Sequence, residues 1–309
     1  MDPALHGPRA SITVAVSGAT GMIGTALIAS LRAGGHTVRR LVRSAEGAPA
    51  GDIAWDPARD YLDPKTLAGC DAIVHLAGAP IAQRWTSSYK REILDSRVRG
   101  TALIARAVSA MDVKPSVVLS GSAIGYYGDR ADELLDESSS QGNDFLSSVV
   151  RQWEDSAAPI AAARVRLVML RSGVVLSHHG GALAKLLLPF KLGAGGRIGG
   201  GQQWMSWIAL HDHVRAMEHL LFAIDVKGPV NLVAPNPATN EEFTATLGRV
   251  LSRPALLTVP AFVLELAYGE MARATLLASQ RVMPKALTAS GFSFDFPLLE
   301  KALRSELSN

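Results

Sequence analysis

Three glycines stand three residues apart in Gly18-Ala19-Thr20-Gly21-Met22-Ile23-Gly24, a spacing suited to holding a pyrophosphate with main-chain amides. The first allows a tight turn and the second lets the backbone approach the phosphates. The third lets a helix pack closely on the preceding strand, with the anion at the helix N-terminus. Thr20, Met22 and Ile23 complete the loop and count with it as contact positions. A glycine pattern alone is weak evidence, so its flanks decide. Ile12 to Val16 is a short apolar, β-branched run ahead of the loop, and Ile23, Ala26, Leu27 and Leu31 follow at helical spacing. About 20 residues beyond such a loop an acidic residue normally accepts the ribose hydroxyls of NAD. The sequence there reads Arg39-Arg40-Leu41-Val42-Arg43-Ser44 and has no acid. A guanidinium at this place holds a 2′-phosphate through forked, charge-assisted bonds, so Arg43 and Ser44 point to NADP(H).

The elements that must position this loop alternate. After strand, loop and helix, Gly34-Gly35 closes the helix and His36 to Val42 reads as a second strand. Asp71 to Leu76 reads as a third. A helix over Arg91 to Met111, a buried strand over Ser116 to Ser120, a helix over Phe145 to Ala157 and a strand over Val165 to Leu170 continue the series. Such alternation with near-continuously apolar strands predicts an α/β, Rossmann-type doubly wound parallel sheet. After Val175 glycines crowd a short span and the alternation stops. The expected division is a tail over 1–10, a nucleotide-binding domain over 11–175 plus 211–235, and a smaller C-terminal, substrate-side lobe over 176–210 plus 236–309.

A length of 309 residues with 48% hydrophobic and 19% charged residues predicts a packed core and excludes a disordered chain or a charged coiled coil. Thirty-one Lys and Arg face 28 Asp and Glu, and no basic run stands out along the sequence, so neither a nucleic acid nor a membrane is expected as partner. No apolar run reaches the ~18–20 residues of a spanning helix. The single cysteine, Cys70, closes no internal disulfide and builds no thiolate metal site, and residues 1–8 lack the charge and apolar stretch of a signal peptide. A cytoplasmic setting, a small-molecule substrate and no metal are expected, with monomer and homodimer both open.

Taken together, Gly18 to Gly24, His75-Leu76-Ala77-Gly78 and Ser120-Gly121-Ser122-Ala123 resemble the extended short-chain dehydrogenase/reductases. More narrowly, the chain resembles their atypical "epimerase family" branch, sometimes labelled as a cell-division inhibitor. That match lies in Asp95-Ser96-Arg97-Val98, Gly125-Tyr126-Tyr127-Gly128-Asp129, Gln203 to Ile208, Ala234-Pro235-Asn236-Pro237 and Gly269-Glu270-Met271. The stretch from about Arg253 to Leu303 looks like the branch's own terminal module. The resemblance implies that Gly18, Gly21 and Gly24 hold the cofactor phosphates and that Arg43 takes the 2′-phosphate. It also implies that Ala77 and Gly78, with His75 and Leu76 before them, border the cofactor groove, and that Ser122 is the catalytic serine. Arg97 stands where ordinary members carry an asparagine, as the atypical branch does. Ordinary members place a Tyr-x-x-x-Lys pair on the next helix, whereas here the two registers offer Leu146 with Val150 or Ser147 with Arg151.

Ser122, Arg97 and Tyr126 form the candidate catalytic set, with the proton coming from water, from Tyr126 or Tyr127, or from the substrate. The alternative for the tyrosines is to wall the cleft. His178 and His179 read as surface residues, Trp204 and Trp207 as lobe packing or a ring-stacking wall, Lys185 and Arg197 as contacts for an anionic group, and Asp212 as a helix cap. The implied function is an NADP(H)-binding oxidoreductase or epimerase acting on a small carbonyl or sugar-like compound. The rival is an NADPH-binding regulatory protein without turnover.

Overall fold

Apolar strands buried on both sides need helices on both sides, and the chain builds that arrangement. The computed structural model describes residues 10–43 and 50–308; Ser44 and nearly all of the expected tail lie outside them. The central strands are β1 (Thr13–Ser17), β2 (Thr37–Val42), β3 (Ile53–Ala54), β4 (Ala72–His75), β5 (Val117–Ala123), β6 (Arg166–Ser172) and β7 (Gly228–Leu232). They form one parallel sheet in the order β7-β6-β5-β4-β1-β2-β3. The order reverses at β1, between β2 and β4, and a ligand crevice opens beyond the carboxyl ends of strands at such a switch point.

The main helices are α1 (Met22–Ala33), α2 (Ser87–Ala110), α3 (Phe145–Ala162), α4 (Gly181–Lys191), α5 (Leu210–Phe222), α6 (Asn240–Leu251) and α7 (Ala261–Tyr268). One face of the sheet is covered by α1 and α5, whose Leu27, Leu31, Met217 and Leu220 meet Val14, Val16 and Val74. The other is covered by α2 and α3, whose Leu103, Ile104, Ala157 and Ile160 meet Ala15, Ile73 and Val118. Caps set two boundaries. Thr86 accepts from the Tyr89 amide at 3.1 Å and starts α2 a turn before the predicted Arg91, and Asp144 accepts from the Ser147 amide at 2.7 Å at the start of α3.

The smaller lobe has its own core of Phe190, Trp207, Phe243 and Leu247. Two short parallel pairs border it, Val174–Leu176 with Trp207–Ala209 and Gly196–Ile198 with Leu257–Val259. Helix α6 carries a capping box made by Thr239 and Glu242, whereas α7 buries none of its residues. Among the described residues no helix is long and apolar enough to cross a membrane.

Candidate active site

The loop between β1 and α1 separates what the fold requires from what a ligand would require. Gly18 has φ +68°, and a Cβ there would lie 2.8 Å from the carbonyl carbon of Leu76. A Cβ on Gly24 would overlap the carbonyl oxygen of Gly18. Both are therefore demanded by the chain itself. Gly21 differs. It is exposed, its backbone is extended, and the nearest atom to an added Cβ is the Gly18 oxygen at 3.4 Å. Gly21 is also the N-cap of α1, which has no side-chain cap and no acid in its first turn, so its leading amides are free for an anion.

This loop forms one end of a groove of about 980 Å³ that Arg43, Leu76, Ala77 and Gly78 also line, together with Thr20. Of the three arginines in and just after β2, two are already engaged. Arg39 Nε donates to the Gly51 carbonyl at 2.9 Å, and Arg40 Nε donates to both oxygens of Asp52 at 3.1 Å. Hydrogen bonding to Arg40 holds the Asp52 carboxyl below its usual range. Arg43 is exposed on the groove wall with no partner among the described residues. The donor set thus fits a nucleotide carrying an extra phosphate.

Met22, Ile23, Gly24 and His75 do not line the groove. Met22 packs against the chain at Gly180, where a Cβ would meet its sulfur at 3.3 Å. His75 is buried behind the wall, its Nδ1 2.6 Å from Ser17 Oγ, and Ser17 Oγ accepts from the amides of Leu76 and Ala77. His75 therefore supports the segment that borders the groove. Burial disfavours its cation and lowers its pKa to about 4.

Ser122, Arg97 and Tyr126 do not line this groove either; the carboxyl ends of β5 and β6 place Ser122 beside Arg171 in register. Ser122 Oγ donates to Glu154 Oε1 at 2.6 Å. Arg171 grips the same carboxylate with two bonds of 2.8 Å, from Nε to Oε1 and from Nη2 to Oε2. Its Nη1 donates to the Tyr127 hydroxyl at 3.1 Å, and that hydroxyl donates to Asn231 Oδ1 at 2.7 Å. The guanidinium carbon lies 3.5 Å from the centre of the Tyr126 ring. Burial works against the Arg171 cation, but hydrogen bonding and charge from Glu154 outweigh it and raise its pKa. Burial pushes the Tyr127 hydroxyl up to about 12, which makes it a poor acid near neutral pH. Tyr126 is partly exposed against this cluster.

Neither Glu154 nor Arg171 was among the residues expected from sequence. Leu146, Val150 and Glu154 recur every four residues along α3, so the first of the two registers leads to Glu154 one turn further on. An arginine directly after the apolar run Leu167 to Leu170, within the strand Arg166–Ser172, was the other signal. Ser147 is buried and Arg151 exposed.

Arg97 lies beneath Gly78, where a Cβ would meet its guanidinium carbon at 3.4 Å. Its Nη1 donates to the Ile93 carbonyl and its Nη2 to the Ala79 carbonyl, each at 3.0 Å, which ties the segment after β4 to α2. Burial lowers its pKa to about 10, still a cation near neutral pH. The remaining candidates sit away from this cluster. Lys185 donates to the Ala82 carbonyl and Arg197 pairs with Glu241. Trp207 is a core residue whose Nε1 donates to the Asn236 carbonyl, and Trp204 packs beneath Arg281. His178 lies 3.7 Å from Glu306. Asp212 does not cap its own helix, which begins two residues earlier. Its two oxygens instead accept from the amides of Asp295 and Phe296 in the terminal segment.

Known proteins share this architecture. The "Epimerase family protein Mb2239" of Mycobacterium bovis is 41% identical over 295 residues, covering 95% of this chain and 97% of that protein. The human "Epimerase family protein SDR39U1" is 40% identical, with 94% and 98% covered. The crystal structure of human epimerase family protein SDR39U1 (isoform2) with NADPH has a TM-score of 0.89 at 37% identity, covering 96% of this chain and all of that one. A nucleoside-diphosphate sugar epimerase from Corynebacterium glutamicum has a TM-score of 0.80 at 36% identity, covering 96% of this chain and 58% of that one. The model named "Domain of unknown function (DUF1731)" matches residues 259–306, overlapping the terminal stretch singled out by sequence. The model of the NAD dependent epimerase/dehydratase family matches residues 14–232, and the chain belongs to that family.

Proposed function

We propose that the chain is an NADP(H)-dependent oxidoreductase or epimerase of the cytoplasm, acting on a small carbonyl or sugar-like compound. The observation that carries this reading is the pairing, on one groove, of an open Gly21 with an uncommitted Arg43. The NADPH in the human relative's crystal structure supports it. Gly18, Gly21 and the first turn of α1 would hold the pyrophosphate, Arg43 the 2′-phosphate, and Ala77 and Gly78 the groove wall. When bound, NADP(H) supplies or accepts a hydride.

The chain's own part in the reaction centres on Ser122. Its hydrogen is committed to Glu154, so its oxygen presents lone pairs to a reacting group. It is better placed to accept a proton from a substrate hydroxyl than to donate to a carbonyl. As it accepts, its own proton can pass to the Glu154 carboxylate, while Arg171 and Tyr127 hold that carboxylate in place. Arg97 adds positive charge beneath Gly78 without giving up a proton.

Calorimetric titration of NADPH and NADH tests the cofactor assignment. NADPH should bind more tightly. A charge-assisted contact is worth roughly 1.5–3 kcal/mol, so Arg43→Ala should weaken NADPH by about tenfold to a hundredfold and leave NADH nearly unchanged. Equal affinities in the parent protein would overturn the assignment. The second reading, a regulatory protein that binds NADPH without turnover, is favoured by the engagement of Ser122 within the protein. A screen of alcohols and carbonyls that gives no change in NADPH absorbance would select it.

A further inference from the structure

The smaller lobe exposes an apolar face that its own packing leaves uncovered. Leu188 is 67% exposed and Leu192 74% exposed at the end of α4, Leu256 is 88% exposed before the strand Leu257–Val259, and Phe262 and Leu266 are 69% and 75% exposed one turn apart on α7. These elements adjoin. Arg253 Nε donates to the Lys191 carbonyl at 3.1 Å, Leu257 pairs with Gly196, and a Cβ on Gly199 would touch Ala261 at 3.8 Å.

Among the described residues, the charge around this face that has no opposite partner is of one sign. No acidic residue occurs from Ser177 to Ala209 or from Phe243 to Leu264. The nearest carboxylates are engaged, Glu241 with Arg197, Glu265 with Arg273 and Glu270 with Lys90. By contrast, among the described residues Arg84, Lys185 and Arg253 donate only to carbonyl oxygens, and Lys191 is exposed at the end of α4 without an acid. The four cations come from three separate stretches of sequence, so no basic run announces them.

We infer that this face seats the protein on an anionic lipid bilayer, with the leucines and Phe262 at the acyl boundary and Arg84, Lys185, Lys191 and Arg253 at the headgroups. Exposed large apolar side chains rimmed by cations are what an interfacial site requires, and each cation near an anionic surface adds to binding. A second copy of the chain fits less well, because a two-fold contact would oppose unpaired cations across an apolar seam. The attachment is peripheral, since no described helix spans a bilayer. It departs from the expectation of no membrane partner, which rested on the charge balance and on the lack of a local basic cluster in the sequence. The segment leading from the groove wall to α2 is tied to the same face, because Arg84 donates to the Leu266 carbonyl and Lys185 to the Ala82 carbonyl.

Co-sedimentation of the full chain with phosphatidylcholine vesicles, with and without phosphatidylglycerol, tests the inference. The parent should bind the mixed vesicles, release at high salt and bind pure phosphatidylcholine far more weakly. Lys191→Glu with Arg253→Glu should weaken binding by at least about thirtyfold, or about 2 kcal/mol by the affinity relation. Phe262→Asp with Leu266→Asp should weaken it comparably, while both variants keep the parent's melting temperature, because every substituted side chain is exposed. No binding of the parent to phosphatidylglycerol vesicles overturns the inference, and so does binding that neither variant weakens. A lipid-free dimer dispersed by the apolar variant assigns the face to a second copy instead, which overturns it too.

Discussion

The glycine end and the serine end of the sheet's carboxyl edge are made of different material. Around Gly18, Gly21 and Gly24 the working groups are backbone amides and empty space on seven consecutive residues, with the Leu76 carbonyl closing in on Gly18. Around Ser122 they are side chains joined in a buried chain through Glu154, Arg171, Tyr127 and Asn231, whose members lie up to 109 residues apart in sequence. A site of absent side chains tolerates little addition, and a site of interlocked side chains tolerates little removal.

The largest expected effect comes from removal. Arg171→Ala leaves the Glu154 carboxylate buried without its cation, a loss of about 3–5 kcal/mol that urea unfolding would register. A stability within about 1 kcal/mol of the parent would mean the network is not interlocked.

Acid should loosen both ends together. His75 behind the groove wall, and His213 on α5 with its Nε2 2.8 Å from Ser172 Oγ at the end of β6, are buried with pKa values lowered by burial to about 4, below the ordinary 6.5. The unfolded chain therefore binds more protons between those values. Their contribution is full above about pH 6.5, falls as pH falls, and is gone near pH 4, a loss on the order of 3 kcal/mol per histidine. A urea midpoint that stays level across this window would show that neither histidine is held neutral, and His75→Asn should shrink the drop.

Addition at the glycine end separates two neighbours. Gly24→Ala should destabilise the fold by roughly 1–3 kcal/mol because its methyl overlaps the Gly18 carbonyl. Gly21→Asp should leave the melting temperature almost unchanged yet abolish NADPH binding, because the space it fills is outside the chain. Binding within about threefold of the parent, roughly 0.65 kcal/mol, would place the phosphates elsewhere.

The smallest effect is on chemistry. Ser122→Ala should slow any turnover found in the carbonyl and alcohol screen by about tenfold or more, near 1.4 kcal/mol of barrier, with NADPH affinity unchanged. Unaltered turnover would remove Ser122 from the mechanism.

What could be read from the sequence follows the same division. Strand, glycine turn and helix recur in a fixed local order, so the sheet, its helices and the phosphate loop were visible before any coordinates. His75 was placed on the groove because strand ends border it, yet its ring turns inward to Ser17. Glu154 escaped notice because an acid on α3 has no local pattern, and its significance appears only when β6 brings Arg171 alongside. Asp212 looked like a helix cap because of its place near the start of α5, but its partners are the amides of residues more than 80 positions away. Long-range hydrogen bonds leave no periodicity to detect.

Those long-range bonds also give the molecule a timetable. Gln280 donates to the carbonyls of Ile124 and Gly128, Asn231 donates to the carbonyl of Met283, and Glu137 accepts from the amide of Ala286. The loop that follows β5, with Tyr126 and Tyr127 on it, is thus fastened by residues made about 150 positions later. A chain emerging from the ribosome can assemble β1, α1 and the phosphate loop early, since domains form from the N-terminus onward during translation. The serine end acquires its lasting form only once residues 280–286 have emerged, so a nascent chain has a place for a nucleotide before the Tyr126–Tyr127 loop is fastened.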